Sequence, residues 1–188
     1  MPGADGADRH RSQVRIIESA RMPDAALRST RRLLDAAFAG EFSLEDWQHA
    51  LGGWHAIVGP DAHVVGHAAV VERRIVVGGR ELRAGYVEAV AVSPTSQRTG
   101  IGTAVMQAVR DIIRARFDLG VLSSGAWTFY ERLGWERWRG PTYVRAADGQ
   151  ACRTVDEDDG VMVLRWASVG EVDLAAAIMC DARAGDSW

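Results

Sequence analysis

The sequence predicts an α/β protein with helices layered around one β-sheet. Three observations carry that prediction. The runs 54–59, 63–79 and 80–94 are rich in the β-branched residues that suit a pleated, half-buried surface. Segments 23–40 and 101–112 instead repeat their apolar residues at the helical period. The elements also interleave: helices, a block of strands, then strand, loop, helix, strand, helix and strand, an order that suits α/β layers. At 188 residues the chain has the size of one domain, and such a domain buries roughly 70% of its unfolded surface. It therefore needs no disulfide or structural metal to fold. A single domain is expected over 13–188, preceded by a flexible polar tail at 1–12.

Taken in order, "VRIIES" (14–19) reads as a first strand. In 23–40, Leu27, Leu33, Leu34, Ala37 and Phe38 form an apolar helical face, and Gly40 is placed to end it. "SLEDWQHAL" (43–51) opens with Ser43 and Asp46 three residues apart, a helix-start box with Asp in the place of Glu. Gly59-Pro60-Asp61 supplies a turn between strands 54–59 and 63–79. Pro94 stops strand 80–94. Beyond it Ile101, Val105, Val109 and Ile112 mark a helix. "FDLGVLSS" (117–124) reads as a short buried strand, and "AWTFYERLGW" (126–135) as a short helix ending at Gly134. Asp148-Gly149 makes a turn, and "GVMVLRW" (160–166) is a further strand. The remaining tail ends in "AAAIMCDARAGDSW".

Composition narrows the function. The formal net charge is −3, with no basic run and no interleaved aromatic stripe, which argues against nucleic acid. No stretch approaches the roughly 20 apolar residues of a membrane span. The polar start lacks the apolar centre of a signal peptide, which points to the cytoplasm. Cys152 and Cys180 lack ligand spacing and read as free thiols. The five histidines show no metal-ligand spacing and read as structural or surface groups, so no metal is expected. All 22 basic residues are arginine, which fits a GC-rich coding sequence.

The stretch "QRTGIG" (97–102) sits between a strand and a helix. Helix N-termini present unsatisfied N–H groups and a partial positive charge, so they hold anions. Glycines let a ligand approach the backbone. The stretch is neither a Walker loop nor GxGxxG, and alone it also admits a plain-turn reading. Directly after "VAVSP", however, Gln97, Gly100 and Gly102 resemble the [Gln/Arg]-x-x-Gly-x-[Gly/Ala] loop of GCN5-related N-acetyltransferases (GNAT). "FYERLGW" (129–135) is similar to the later signature of that superfamily. The resemblance implies a GNAT fold, a mixed central sheet flanked by helices. It implies acetyl-CoA as cosubstrate, with its pyrophosphate against Gln97, Arg98, Thr99, Gly100, Ile101, Gly102 and Thr103, and its pantetheine arm along backbone groups of Val90 and Val92.

From about Val14 onward, "AFAGEFSLEDW", "LGGWHAIV", "GYVEAVAV", "ERLGWERWRGPT" and "MCDARAGDSW" resemble the aminoglycoside 2′-N-acetyltransferases. That resemblance implies acetylation of an aminoglycoside 2′-amine, and a homodimer is common in the family. It implies Glu88 as the acid beside the transferring acetyl group and Tyr130 as the acid for the departing thiolate. It places Glu41, Asp46, Ser123, Asp158, Asp186 and Trp188 at the drug. Glu41 stands where better-known members carry Asp. Two departures border the drug site: the chain is two residues shorter between "LSS" and Tyr130 and one longer before Asp158. A kasugamycin-type substrate fits such a divergent member. Read from the residues alone, Tyr130 is equally a core aromatic, and the run 156–159 is a solvated acidic turn. Glu88 differs, because an acid in the apolar strand "YVEAVAV" is costly unless it has a task.

Overall fold

The structure, a computed structural model, describes residues 13–188; the tail expected at 1–12 lies outside the described residues. The chain divides into two compact units. The first comprises the residues up to Val71 together with Val87–Ile112, and the second comprises Glu72–Tyr86 with Ile113–Trp188.

In the first unit, β1 (Arg15–Glu18) runs antiparallel to β2 (Trp54–Val58), with Ile17 opposite His55. Strand β2 runs antiparallel to the opening half of β3 (Gly66–Val77), with Ile57 opposite His67. The expected strand from 63 starts later because 60–63 close a turn: His63 N–H donates to Pro60 O at 2.8 Å, and Val65 N–H to Val58 O at 2.8 Å. Helix α1 (Asp24–Ala37) buries Ala26, Leu33 and Leu34 against Met22, Phe42, Ile57, Val64 and Ala91. It stops where the chain turns left-handed, at Ala39 (φ 54°) and Gly40 (φ 84°). Helix α2 (Leu44–Ala50) carries the expected box: Asp46 N–H donates to Ser43 Oγ at 3.0 Å, and Ser43 N–H to Asp46 Oδ2 at 2.9 Å.

The closing residues of β4 (Arg80–Val92) and most of α3 (Ile101–Arg116) complete this unit. Helix α3 buries Ile101, Val105 and Val109 as its spacing predicts. It lies so close to β3 that a Cβ at Gly66 would collide with the Ile101 side chain.

In the second unit, the opening half of β4 pairs in parallel with β5 (Leu119–Ser123). Strand β5 pairs antiparallel with β9 (Val161–Leu164), which pairs antiparallel with β6 (Glu136–Arg137). The closing half of β3 pairs antiparallel with β10 (Ile178–Asp181), and β10 lies parallel to β7 (Thr142–Arg145). Strand β8 (Ala151–Arg153) returns antiparallel on β7 through the Asp148-Gly149 turn, where Gly149 has φ 87°. The sheet is therefore mixed. Strands β6, β7, β8 and β10 are additions to the sequence reading, which placed only the Asp148-Gly149 turn around β7 and β8.

Helix α4 is short, Trp127–Glu131, and the turn after it ends at Gly134 (φ 90°). Gly120 is required by packing, since a Cβ there would come within 2.9 Å of Trp135. Cys180 is buried, with its thiol donating to Ser187 O at 3.2 Å, whereas Cys152 is exposed; both are free thiols. Among the described residues no helix is long and apolar enough to cross a membrane.

Candidate active site

In the first unit, β4 leads through Pro94 and one 3₁₀ turn into the glycine loop. Arg98 (φ 59°) and Gly100 (φ 98°) are both left-handed, which turns the chain sharply before α3. The Thr99 hydroxyl donates to Ser96 O at 2.6 Å, so this side chain braces the loop and only its backbone is left as a ligand donor. The first bond of α3 runs from Ala104 N–H to Gly100 O at 3.0 Å. The N–H groups of Ile101, Gly102 and Thr103 precede it, and helix geometry gives them no partner within the helix. With Gly102 contributing no side chain, this end of α3 has the form of an anion seat. Gln97, Arg98 and Thr99 are exposed beside it.

Just upstream, Glu88, Ala89 and Val90 are half-buried in β4. Ala89 takes φ 53°, which a residue with a Cβ adopts rarely. A strand broken in this way does not present its amides regularly, and Val90 N–H is the amide immediately after the break. Also in this unit, Glu41 is exposed, and Asp46 is half-buried with one carboxylate oxygen engaged in the α2 cap.

In the second unit, Tyr130 on α4 is 6% exposed, with its ring edge-on to Phe129 (5.0 Å) and Trp135 (6.3 Å). The ring is a core aromatic, while the hydroxyl bonds to Ser124. Burial pushes its pKa up to about 12, partly opposed by that bond. It therefore stays protonated throughout the neutral range.

Ser123 closes β5 and donates to Glu157 Oε2 at 3.2 Å. The Glu157 carboxyl is pushed up from its ordinary value, first by burial and then by the charge of Asp186, with the Ser123 bond opposing. Ser123, Glu157 and Asp186 thus form one electronegative cluster. Gly160 leaves it room, because a Cβ there would approach Ser123 Oγ to 2.6 Å.

Asp158, the acid singled out by resemblance, has a different setting. Its carboxylate accepts from Thr142 N–H at 3.0 Å and from Arg153 Nη1 at 2.7 Å, and Arg153 Nη2 closes a second contact. These bonds, Arg153 foremost, hold its pKa down at about 2. The 3₁₀ turn Val155–Glu157 sets this division by directing adjacent acids to different partners. Glu157 is a further candidate that sequence reasoning did not single out. In a run of four acids, only the turn geometry reveals it.

The final residues are anchored. Arg73 donates to Ser187 O at 2.6 Å and to Asp181 O at 2.8 Å, and its guanidinium lies 4.7 Å from the centre of the Tyr86 ring. Trp188 is 4% exposed, and its N–H donates to Asp186 Oδ1 at 3.1 Å. Its buried indole N–H has no hydrogen-bond partner among the described residues. Among the described residues no group of three or more His, Cys, Asp or Glu is placed to hold a metal ion.

Comparison with known proteins bears on this arrangement. A family model described as an acetyltransferase (GNAT) domain matches residues 19–138. An aminoglycoside 2′-N-acetyltransferase of Mycolicibacterium fortuitum is 41% identical over 182 residues, 93% of this chain and 91% of that protein. Among solved structures, a GNAT family N-acetyltransferase from Escherichia coli in complex with CoA aligns with a TM-score of 0.63 at 15% identity, covering 89% of this chain and 88% of the other. A GNAT family acetyltransferase from Brucella melitensis in complex with acetyl-CoA aligns at 0.57 and 18% identity, covering 88% and 94%. Longer acetyltransferases of this fold also align, and the chain spans about a third of their length. The glycine loop at the mouth of a helix, the mixed sheet with its flanking helices and these likenesses agree: the chain belongs to the GNAT superfamily and, within it, to the family of the aminoglycoside 2′-N-acetyltransferases.

Proposed function

We propose that this protein transfers an acetyl group from acetyl-CoA to the 2′-amine of an aminoglycoside. The observation that carries the reading is the bare-amide seat at the start of α3, in a chain 41% identical to an enzyme of that name. The pyrophosphate of the cosubstrate rests on the amides of Gly100 to Thr103, with Gln97 and Arg98 beside it. The pantetheine arm follows Val90 and Val92. Solved neighbours of this fold in complex with CoA and acetyl-CoA support that part of the reading.

An amine attacks a thioester only as the free base, and aminoglycoside amines are largely protonated at neutral pH. Glu88 accepts the proton, directly or through water, a kind of help worth about 10²–10⁴-fold in rate. As the C–N bond forms, negative charge gathers on the carbonyl oxygen, and Val90 N–H is its donor. As the C–S bond breaks, Tyr130 donates to the sulfur. A phenol near 12 stabilises a thiolate of pKa about 8.5 by hydrogen bonding, since complete transfer would be uphill by about 5 kcal/mol. Holding both substrates in attack geometry supplies much of the remaining acceleration.

Other amines of the drug are cations that need anionic partners. Glu41, Asp46 and the Ser123–Glu157–Asp186 cluster serve them, with Glu157 in the role first expected of Asp158. Binding a cation there offsets the burial and the Asp186 charge that together raise the Glu157 pKa. Trp188 completes the drug contacts. The two length changes near this cluster favour a divergent, kasugamycin-type substrate, and its acetylation would give resistance.

The test is thiol release with acetyl-CoA against a panel that includes kasugamycin and 2′-amino and 2′-hydroxy aminoglycosides, with the acetylated position fixed by NMR. Turnover confined to drugs with a 2′-amine is expected. Turnover of another amine, with none at any 2′-amine, would move the protein to a different acetyltransferase role.

A further inference from the structure

Two histidines that the proposed chemistry does not use lie buried in the first unit. His55 and His67 are each 0% exposed, and their rings meet with His55 Nδ1 2.9 Å from His67 Nε2. At one end His67 Nδ1 lies 2.7 Å from Ala89 O. At the other end His55 Nε2 lies 2.7 Å from Ser19 Oγ, which accepts from Gly52 N–H at 3.0 Å.

The proton positions in this chain follow from its end. A carbonyl oxygen only accepts, so His67 carries its proton on Nδ1. Its Nε2 then accepts, so His55 also carries its proton on Nδ1. The Nε2 of His55 then accepts from the Ser19 hydroxyl, whose other acceptor, Gly53 O, lies farther off at 3.2 Å. Every member is satisfied with both rings neutral, and burial pushes the His55 and His67 pKa values down to about 4 and about 3.

We infer that the Ser19–His55–His67 chain is a positioning device that clamps the Ala89 carbonyl and thereby aims the Val90 amide at the reacting centre. The geometry of the peptide unit makes the link. In a planar trans peptide the C=O of one residue and the N–H of the next point in opposite directions. Holding Ala89 O on His67 therefore turns Val90 N–H away from the buried side. Ala89 adopts φ 53° at this point, a conformation that persists in non-glycine residues only when its surroundings enforce it. His67 supplies that enforcement, and His55 and Ser19 fix its tautomer. The inference rests on the proposed oxyanion role of Val90.

Two measurements test it. In the ¹⁵N-labelled wild-type protein, long-range ¹H–¹⁵N spectra of the imidazoles at pH 7 report the tautomers, and a proton on Nδ1 of both His55 and His67 is expected. A proton on His67 Nε2 overturns the proposal, because nothing would then bond Ala89. In kinetics, H67N keeps an amide N–H in the place of Nδ1, while H67Q keeps only a group in the place of Nε2. We expect H67Q to lower kcat tenfold or more with both KM values within threefold, and H67N to lose less than threefold. Equal losses in the two variants, or losses that simply follow Tm, overturn it. If neither variant folds, the wild-type spectra decide. If wild-type protein acetylates no aminoglycoside, the functional reading fails while the tautomer result still judges the clamp.

Discussion

Exchanging the two neighbouring acids Glu157 and Asp158 for their amides, one at a time, should separate drug recognition from folding. In D158N the carboxylate that Arg153 grips from two sides and Thr142 N–H reaches at 3.0 Å becomes a neutral amide. Its new NH₂ then faces either a guanidinium or the N–H of fully buried Thr142. Hydrogen bonds to charged groups contribute about 1.5–3 kcal/mol. Because Asp158 and Arg153 are each about one-third exposed, the expected cost is nearer about 2 kcal/mol. For a chain of this size that lowers Tm by about 4–8 °C. E157Q instead removes a charge repelled by Asp186, so Tm should hold or rise. The drug, however, loses a charge-assisted bond, and kcat/KM for it should fall about 10–100-fold. Thermal unfolding and thiol-release kinetics on both variants provide the comparison, with KM for acetyl-CoA as the internal control. If D158N lost drug affinity while E157Q retained it, the assignment of the two acids would be reversed.

Y130F should lower kcat at least tenfold with little change in either KM, and a wild-type rate would remove Tyr130 from the mechanism. Deleting Asp186–Trp188 should raise KM for the drug at least tenfold while sparing acetyl-CoA; full drug affinity in the truncated protein would refute the role of the ending. The buried histidine pair should make the fold acid-sensitive. Their folded pKa values, about 4 and about 3, lie below the ordinary 6.5, so stability is complete above pH 6.5 and is lost as pH falls and the unfolded chain takes up the protons. Between pH 7 and pH 5 denaturant titration should show a loss of about 4 kcal/mol, and a flat profile would mean that the rings titrate normally.

The elements that sequence reading located are those whose signal is local. Helix α1 declares itself through Leu33 and Leu34, α2 through the Ser43–Asp46 box, and the glycine loop through Gln97, Gly100 and Gly102. Strand β10 escaped because four residues, "IMCD", carry too short an alternation. Its partners, β7 and β3, also lie about 36 and about 100 positions earlier in the chain. The His55–His67 pair escaped for the same reason, because strand register sets it and no spacing does. In the candidate site, Glu88 and Tyr130 stood out by residue type and resemblance as candidates. The different partners of Glu157 and Asp158 were not legible, since they follow from one residue of 3₁₀ turn.

The unequal exposure of the two thiols governs how a thiol-release assay must be read. Cys152 lies open on β8, whereas the Cys180 sulfhydryl is enclosed, tied to Ser187 O and pushed up in pKa by burial. A disulfide chromophore should therefore register one rapid equivalent per polypeptide before any antibiotic is added, and that burst belongs to the protein. Replacing Cys152 with serine would erase this background without touching the interior, leaving coenzyme release as the sole colour change.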